Sequence, residues 1–155
     1  FIGLLASWVA GRLSDRVGRK PLIATGSLIT HSCGFALPLT GSVSQAAGVL
    51  SARSLGFNID MPAMRALRTD VTPAEVRGRF FGMFMTAFTA GDVIGPIIST
   101  YLYDAYRFKN FEVGGLVLPG YGIPFFVNSV LGMAATITLL VLVKEPAHDD
   151  PVLNK

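Results

Sequence analysis

The stretch Gly11-Arg-Leu-Ser-Asp-Arg-Val-Gly-Arg-Lys20 lies between two apolar segments and contains four of the 13 lysines and arginines of the chain. Gly11 and Gly18 permit a tight reversal of the backbone, and Asp15 can accept hydrogen bonds at a helix end. Basic loops between apolar segments are typical of the cytoplasmic side of membrane proteins. The stretch therefore predicts a cytoplasmic loop that joins two membrane-spanning helices.

The composition also indicates a protein that lies in a lipid bilayer. Of the 155 residues, 51% are hydrophobic and only 15% are charged, and the mean hydropathy is +0.53. Residues 21–52 and 122–143 contain no Asp, Glu, Lys or Arg, and each run is longer than the roughly 20 residues that cross a hydrocarbon core of about 30 Å. The net charge is only +3, and the basic residues gather in short loops rather than on one face. A nucleic-acid partner is therefore not expected.

Five hydrophobic segments can be distinguished, at residues 1–10, 21–40, 45–67, about 72–103 and 123–143. All are predicted to be helices, because an open strand cannot satisfy its backbone hydrogen bonds in lipid. The first is expected to be truncated. The stretch Thr72-Pro-Ala-Glu75 predicts the start of the fourth helix, with Thr72 as N-cap and Glu75 closing a capping box. The predicted fold class is all-α, a polytopic membrane helical bundle with about five spans.

The lysines and arginines alternate between the predicted loops. The turns at residues 11–20 and 65–79 hold four each, whereas the turn at 41–44 holds none and the polar, glycine-rich loop at 107–122 holds two. By the positive-inside rule, the first pair of loops is expected to face the cytoplasm and the second pair the outside. Residues 147–155 are then expected to form a cytoplasmic tail after a membrane-embedded part, residues 1–146.

The pattern G-x-L-x-D-R-x-G-R-K at residues 11–20 resembles the signature loop of the major facilitator superfamily of membrane transporters. A second stretch, Asp70-x2-Pro73-x3-Arg77-Gly78, resembles the loop that lies two helices further along in the same superfamily. Together the two similarities extend over essentially the whole chain. The resemblance implies one half of a twelve-helix transporter, whose other half would be supplied by the rest of the protein.

The identity of that half is open to two interpretations. The chain begins within a helix and finishes in a short polar tail, which favours helices eight to twelve of the C-terminal half. The completeness of the signature loop favours the other half. So does Gly91-x3-Gly95-Pro96, which resembles a motif in the fifth helix of drug and proton antiporters, although residues 97–99 stand where that motif has paired glycines. We expect the C-terminal half.

The sequence contains no pattern of catalytic residues. It has no His/Cys cluster, no phosphate-binding glycine loop with a lysine, and no nucleophile elbow. Cys33 is the only cysteine, which excludes an internal disulfide and a cysteine-based zinc site. The chain is therefore expected not to be an enzyme and to use neither a cofactor nor a metal.

Ionisable residues at membrane depth are the strongest candidates for a function, because a charge in lipid is costly. Asp92 lies near the middle of the fourth segment and is a candidate to bind a proton or a cationic substrate, with a carboxylate that only sets helix packing as the alternative. Arg53 and Asp60 are seven residues apart on the third segment, so they share a face and are expected to line one cavity. Arg53 is a candidate contact for an anionic substrate or a member of a structural ion pair.

Further features of the helices bear on both packing and function. Asp60 is as well placed to pair with Arg65 or with a signature-loop arginine as to take part in transport. His31 lies at the centre of the second segment and could titrate near neutral pH, although a packing histidine is the favoured interpretation. Asn58 adds a polar group to the third segment and is a further candidate for the substrate or proton pathway. Two pairs of small residues, Gly78/Gly82 and Gly91/Gly95, predict a close approach of another helix.

The resemblance implies that the signature loop is a conformational latch rather than a substrate site. Asp15 would lie near the N-terminus of a helix, and Arg16 or Arg19 would lie near Asp70. The residues assigned to this latch are Gly11, Asp15, Arg16, Gly18, Arg19, Lys20, Asp70, Arg77 and Gly78.

The resemblance further implies an integral, multi-pass protein of the plasma or inner membrane that works by alternating access. Efflux of small molecules coupled to protons is the expected activity, with the bilayer, the missing half, the substrate and protons as partners. Uptake of sugars or organic anions by a symporter or uniporter is the alternative within transport. A non-transporting scaffold or receptor of the same fold is the alternative outside it, and Asp92 argues against it because a scaffold needs no titratable group at membrane depth.

Overall fold

The structure, a computed structural model, describes Trp8 and residues 18–143. Four α-helices account for most of these residues: α1 Arg19–Ala36, α2 Val43–Val71, α3 Arg77–Tyr106 and α4 Ile123–Leu142. They correspond to the second to fifth hydrophobic segments, so the predicted helical bundle is confirmed. The other residues of the first segment, residues 11–17 of the basic loop and residues 144–155 lie outside the described part.

Three stretches of the described chain are long and apolar enough to cross a membrane, namely Arg19–Leu39, Arg77–Tyr106 and Gly120–Leu142. The helix α2 is more polar than these because it carries Arg53, Asp60, Arg65, Arg68 and Asp70. It has 29 residues, and at a rise of about 1.5 Å per residue it is roughly 43 Å long. In this bundle, α2 is thus the helix that brings most of the charge to membrane depth.

The helices run alternately up and down, so the bundle has two ends. At the basic end, α1 and α3 begin and α2 and α4 finish; at the hairpin end, the short 3-10 turn Leu37–Leu39 joins α1 to α2. Ser42 caps the start of α2, and its side-chain oxygen accepts a hydrogen bond from the backbone N–H of Gln45 at 3.3 Å. The hairpin end is named for a small antiparallel sheet that connects α3 to α4.

This sheet corrects the prediction of an irregular loop at residues 107–122. Strand β1 Asn110–Val113 pairs with β2 Leu116–Pro119, and Gly114 and Gly115 close the turn between them with φ angles of 60° and 84°. Two-residue hairpin turns of type I′ need positive φ at both positions, which is why a Gly-Gly pair is suited to this place. One hydrogen bond closes the base of the hairpin, and another ties it to the bundle. The backbone N–H of Gly120 donates to the Lys109 carbonyl at 2.7 Å, and the Tyr121 hydroxyl donates to the Pro38 carbonyl at 2.9 Å.

The predicted capping box at the start of the fourth helix is wrong. Helix α3 begins only at Arg77, after Val76, and no side chain caps it. Thr72 instead ends α2: it is buried, and its hydroxyl donates to the Arg68 carbonyl at 2.6 Å. The physical reason is that the hydroxyl of a threonine between two helices can hydrogen-bond to the last turn of the first helix or to the first turn of the second. Here it bonds to the preceding helix.

The core lies between α1 and α2 and is formed by Leu22, Ile23, Ala63 and Leu67. Beside it, the two backbones touch. A Cβ atom added at Gly26 would lie 2.7 Å from the Gly56 carbonyl oxygen, and one added at Gly56 would lie 2.7 Å from the Gly26 carbonyl oxygen. Helix α4 packs on the other side of α1, where the hydroxyls of Ser27 and Thr136 share a hydrogen bond of 2.5 Å.

The predicted close approach at Gly78, Gly82, Gly91 and Gly95 is not seen in the described part of the chain. A Cβ atom added at any of these four positions would meet nothing within 4 Å. All four are in α3, which contributes no buried residue to the bundle. Close packing uses Gly26 and Gly56 instead.

Candidate functional site

The described part of the signature loop begins with a glycine in a positive-φ conformation. Gly18 stands immediately before α1 with a φ of 96°, a conformation that side-chain-bearing residues rarely adopt. The tight reversal of the loop stays a prediction, because residues 9–17 lie outside the described part. Three other residues of the predicted latch, Gly11, Asp15 and Arg16, lie outside the described residues.

An ion pair joins the start of α1 to the last turn of α2. The Arg19 Nε atom is paired with the Asp70 Oδ2 atom, and both side chains are largely buried. A carboxylate near the C-terminus of a helix faces the negative end of the helix dipole, which is unfavourable unless a cation lies close by. Arg19 supplies that cation, and the contact is one of the two that the sequence predicted for Asp70.

Two further cations of the motifs bind the ends of helices at the basic end. The Lys20 Nζ atom donates to the Leu140 carbonyl in the last turn of α4 at 2.8 Å. The Arg77 Nη2 atom donates to the carbonyls of Thr69 and Thr72, at 3.4 and 3.3 Å. The last carbonyls of a helix have no partner within it, so each contact satisfies groups that would otherwise need water.

These three contacts connect all four helices through side chains from the two sequence motifs. A fourth link was not foreseen: the Arg68 guanidinium lies 4.0 Å from the centre of the Phe84 ring and so joins α2 to α3. No sequence pattern connects these two residues, because they come from different helices. Gly78, the remaining predicted member of the latch, has open space around its Cα atom.

Asp60 lies where α1 and α2 cross, against Gly26. Its Oδ1 atom is buried and has no hydrogen-bond partner among the residues that the structure describes. The expected pairing with Arg65 is wrong, because Arg65 is exposed and the electrostatic interaction of Asp60 is with Arg68. Pairing with Arg19 is also wrong, since that arginine is bound to Asp70.

A cleft of about 400 Å³ opens in the half of the bundle nearer the hairpin end. We call it the His31–Arg53 cleft after the two basic residues in its wall. All four helices and the 3-10 turn Gly120–Gly122 contribute to its lining, which consists of Thr30, His31, Gly34, Arg53, Ser99, Thr100, Tyr103, Tyr121, Pro124, Phe125, Asn128 and Ser129.

Only some of the predicted site residues line the cleft. Arg53 lines it but Asp60 does not, so the two residues do not share this cleft, and a common cavity stays a prediction. The His31 ring lies against Gly132 of α4, which agrees with a packing histidine, and it also faces the cleft. Asn58 does not line the cleft, because its Nδ2 atom donates to the Ser54 carbonyl at 2.7 Å within its own helix.

Asp92 is exposed on α3 and lines neither the cleft nor the contacts of the basic end. The structure therefore does not bring Asp92 together with Arg53, Asp60 or His31. Its role in proton or substrate binding stays a prediction. The aromatic and hydroxyl lining of the cleft was not predicted, because those residues come from separate helices and follow no common spacing.

Long apolar helices in an up-and-down bundle, joined at one end by basic side chains, define a polytopic membrane protein. The chain matches the model of the Major Facilitator Superfamily over residues 1–155, and it belongs to this family. It is a family of transporters rather than of enzymes, and its fold is the helical bundle expected from the two motifs.

The chain is also similar to individual members of the family. It is 32% identical over 146 residues to Multidrug resistance protein 2 of Bacillus subtilis (strain 168), a match that covers 92% of this chain and 32% of that protein. It is 39% identical over 101 residues to Multidrug resistance protein MdtH of Edwardsiella ictaluri (strain 93-146), which covers 63% of this chain and 24% of that protein. The chain thus spans a third or less of the length of these relatives. No solved structure matches it.

Proposed function

We propose that the full-length protein containing this chain exports small molecules by alternating access, driven by a proton gradient. The observation that carries the proposal is the similarity, over 92% of the chain, to a protein named for multidrug resistance. In this proposal the chain forms one half of the transporter, residues 147–155 form a cytoplasmic tail, and the protein resides in the plasma or inner membrane.

The contacts at the basic end support a switch between two access states. An ion pair or a charge at a helix end contributes only about 0.3–1 kcal/mol, so contacts such as Arg19–Asp70 and Lys20–Leu140 can be broken and remade at each cycle. Alternating access requires such reversible contacts, since one half of the transporter rocks against the other around a fixed site.

Two carboxylates are the candidates for proton coupling. Asp60 is buried at a helix crossing without a hydrogen bond to its Oδ1 atom, and Asp92 lies near the middle of α3 on an exposed face. A carboxylate at membrane depth is costly when charged and is therefore a natural proton acceptor. The missing half would complete the cavity into which such a group must open.

Efflux from bacterial cells that lack their own drug exporters tests the proposal. Cells that express the full-length gene are loaded with a panel of cationic, neutral and anionic fluorescent dyes, ethidium among them, and dye loss is followed with and without a protonophore. We expect faster loss of at least one dye and its arrest by the protonophore. Accumulation of a dye would favour the uptake alternative, and no change for any dye would favour a scaffold.

A further inference from the structure

The His31–Arg53 cleft carries a positive charge that no described residue balances. None of the described residues that line it is acidic, and Arg53 forms no ion pair within the part of the chain that the structure describes. The nearest carboxylate along α2, Asp60, does not face the cleft. His31 lies on the same wall, so any charge it takes up adds to that of Arg53.

An unbalanced guanidinium at membrane depth is unfavourable, and such groups are normally paired or used to bind a ligand. Arginine binds carboxylates well because its planar fork of N–H groups matches both oxygens at once. Asn128 and Ser129, which also line the cleft, add further polar groups that can orient an anion. The polar part of the lining is thus chemically suited to a carboxylate.

The cleft also has an aromatic lining. Tyr103, Tyr121 and Phe125 contribute to it from the hairpin-end parts of α3 and α4 and from the turn between them, and the Tyr121 hydroxyl donates to the Pro38 carbonyl. Aromatic side chains bind flat apolar groups by stacking and by edge contacts. The volume of about 400 Å³ falls in the range of pockets that hold small molecules.

We infer that the His31–Arg53 cleft binds an aromatic carboxylate, with the carboxylate on Arg53 and the ring against Tyr103, Tyr121 and Phe125. The role of this ligand as a substrate rests on the proposed export function, whereas its binding does not. Binding is therefore measured without a gradient, so that a failure to bind overturns this inference and leaves the export proposal to its own test.

The experiment uses the purified full-length protein in nanodiscs of phosphatidylcholine, with 2-naphthoate and its neutral analogue 2-naphthamide as probes in titration calorimetry. We expect 2-naphthoate to bind at least tenfold more tightly, a difference of about 1.4 kcal/mol. Arg53→Gln should remove this preference, and Arg53→Lys should keep part of it. Arg65→Gln is the matched control, because Arg65 is an exposed arginine of the same helix outside the cleft.

Equal affinity for the two probes, or an unchanged preference in Arg53→Gln, would overturn the inference. The comparison of the two probes on the unmodified protein keeps it testable if Arg53→Gln does not fold. A second set of nanodiscs with phosphatidylglycerol separates a small molecule from a lipid headgroup. Unchanged affinity for 2-naphthoate supports the small molecule, and a tenfold loss would show that an anionic lipid occupies the cleft instead.

Discussion

The close contact between Gly26 and Gly56 is possible because each of these residues has only a hydrogen atom in place of a side chain. The backbones of α1 and α2 approach each other so closely that no Cβ atom fits at either position. The same contact places Asp60 against α1 and buries its Oδ1 atom. The geometry around a candidate proton acceptor thus depends on two glycines that have no chemistry of their own.

We predict that Gly26→Ala destabilises the full-length protein by about 1–3 kcal/mol, because an added methyl group would force apart two backbones already in contact. Gly82→Ala is the matched control, since nothing lies within 4 Å of its position. The measurement is thermal unfolding of the purified protein in detergent. Equal unfolding temperatures for the two variants would contradict the contact.

We predict that Asp92 couples protons to transport. Asn keeps the shape of Asp but cannot titrate, so Asp92→Asn should abolish pH-driven accumulation in inverted vesicles while substrate exchange remains measurable. Asp104→Asn serves as the control, because Asp104 is exposed at the hairpin end near Arg107. Reduced expression or stability, with the pH dependence of the remaining transport unchanged, would show a structural role instead. Asp60→Asn in the same assay shows whether Asp60 or Asp92 carries the proton.

At the scale of elements, the basic end behaves as one connected set of helix ends. Arg19 is paired with the end of α2, Lys20 with the end of α4, and Arg77 again with the end of α2. Each contact satisfies a carboxylate or carbonyl group that the helix dipole makes more negative. A change of access state that moves one of these helix ends has to break at least one contact.

We predict that Arg19→Gln and Asp70→Asn each lower turnover by roughly two- to fivefold and leave substrate affinity nearly unchanged, since a pair of this kind is worth at most about 1 kcal/mol. Asp15→Asn should act in the same direction. Exchange of the two charges, Arg19→Asp with Asp70→Arg, should restore part of the loss. Arg107→Gln, which removes an exposed pair at the other end of the bundle, is the control. Turnover that stays unchanged in the single variants would argue against a latch.

We predict that the basic end faces the cytoplasm and the hairpin the outside. In a Cys33→Ser background, single cysteines at the exposed positions Glu75 and Val117 are labelled with an impermeant reagent in intact cells and in inverted vesicles. Val117→Cys should react only from the outside and Glu75→Cys only from the inside. Reaction of both positions from one side would contradict the lysine and arginine rule on which the topology rests.

The helices were predictable because long runs without charge leave few alternatives to a membrane span. The Arg19–Asp70 contact was predictable because its two partners belong to two motifs of one family. The hairpin was missed, although Gly114-Gly115 between short apolar runs is a recognised hairpin signal. Thr72 was assigned to the wrong helix because the same residue type serves both helix ends. The cleft could not be foreseen, since its lining residues are brought together only by the packing of four helices.

At the scale of the whole molecule, α3 is the one helix of the described bundle that has no buried residue. Its side chains Val93, Ile97 and Tyr101 are 60%, 65% and 74% exposed. Lipid can cover such residues, but it cannot cover Asp92 on the same helix at low cost. In the transporter that we propose, a helix of the other half would cover both the apolar residues and the carboxylate.

We predict that the 155-residue chain alone does not transport. One half of the bundle supplies only one wall of a cavity that alternating access requires to open on both sides in turn. The chain and the full-length protein are each reconstituted into liposomes, and their rates of uptake and efflux of the same dyes are compared. Transport by the chain alone at a rate near that of the full-length protein would contradict the assignment as a half.

The hairpin at the opposite end has a practical consequence for work on living cells. Its tip, Gly114-Gly115, is joined to the bundle only through two short paired strands, while Gly120 and Tyr121 fasten the base independently. A short peptide epitope inserted at this tip would lengthen a turn without entering any helix contact. If the hairpin faces the outside, as predicted above, an antibody added to the medium would report how much protein reaches the cell surface, without permeabilisation of the cells.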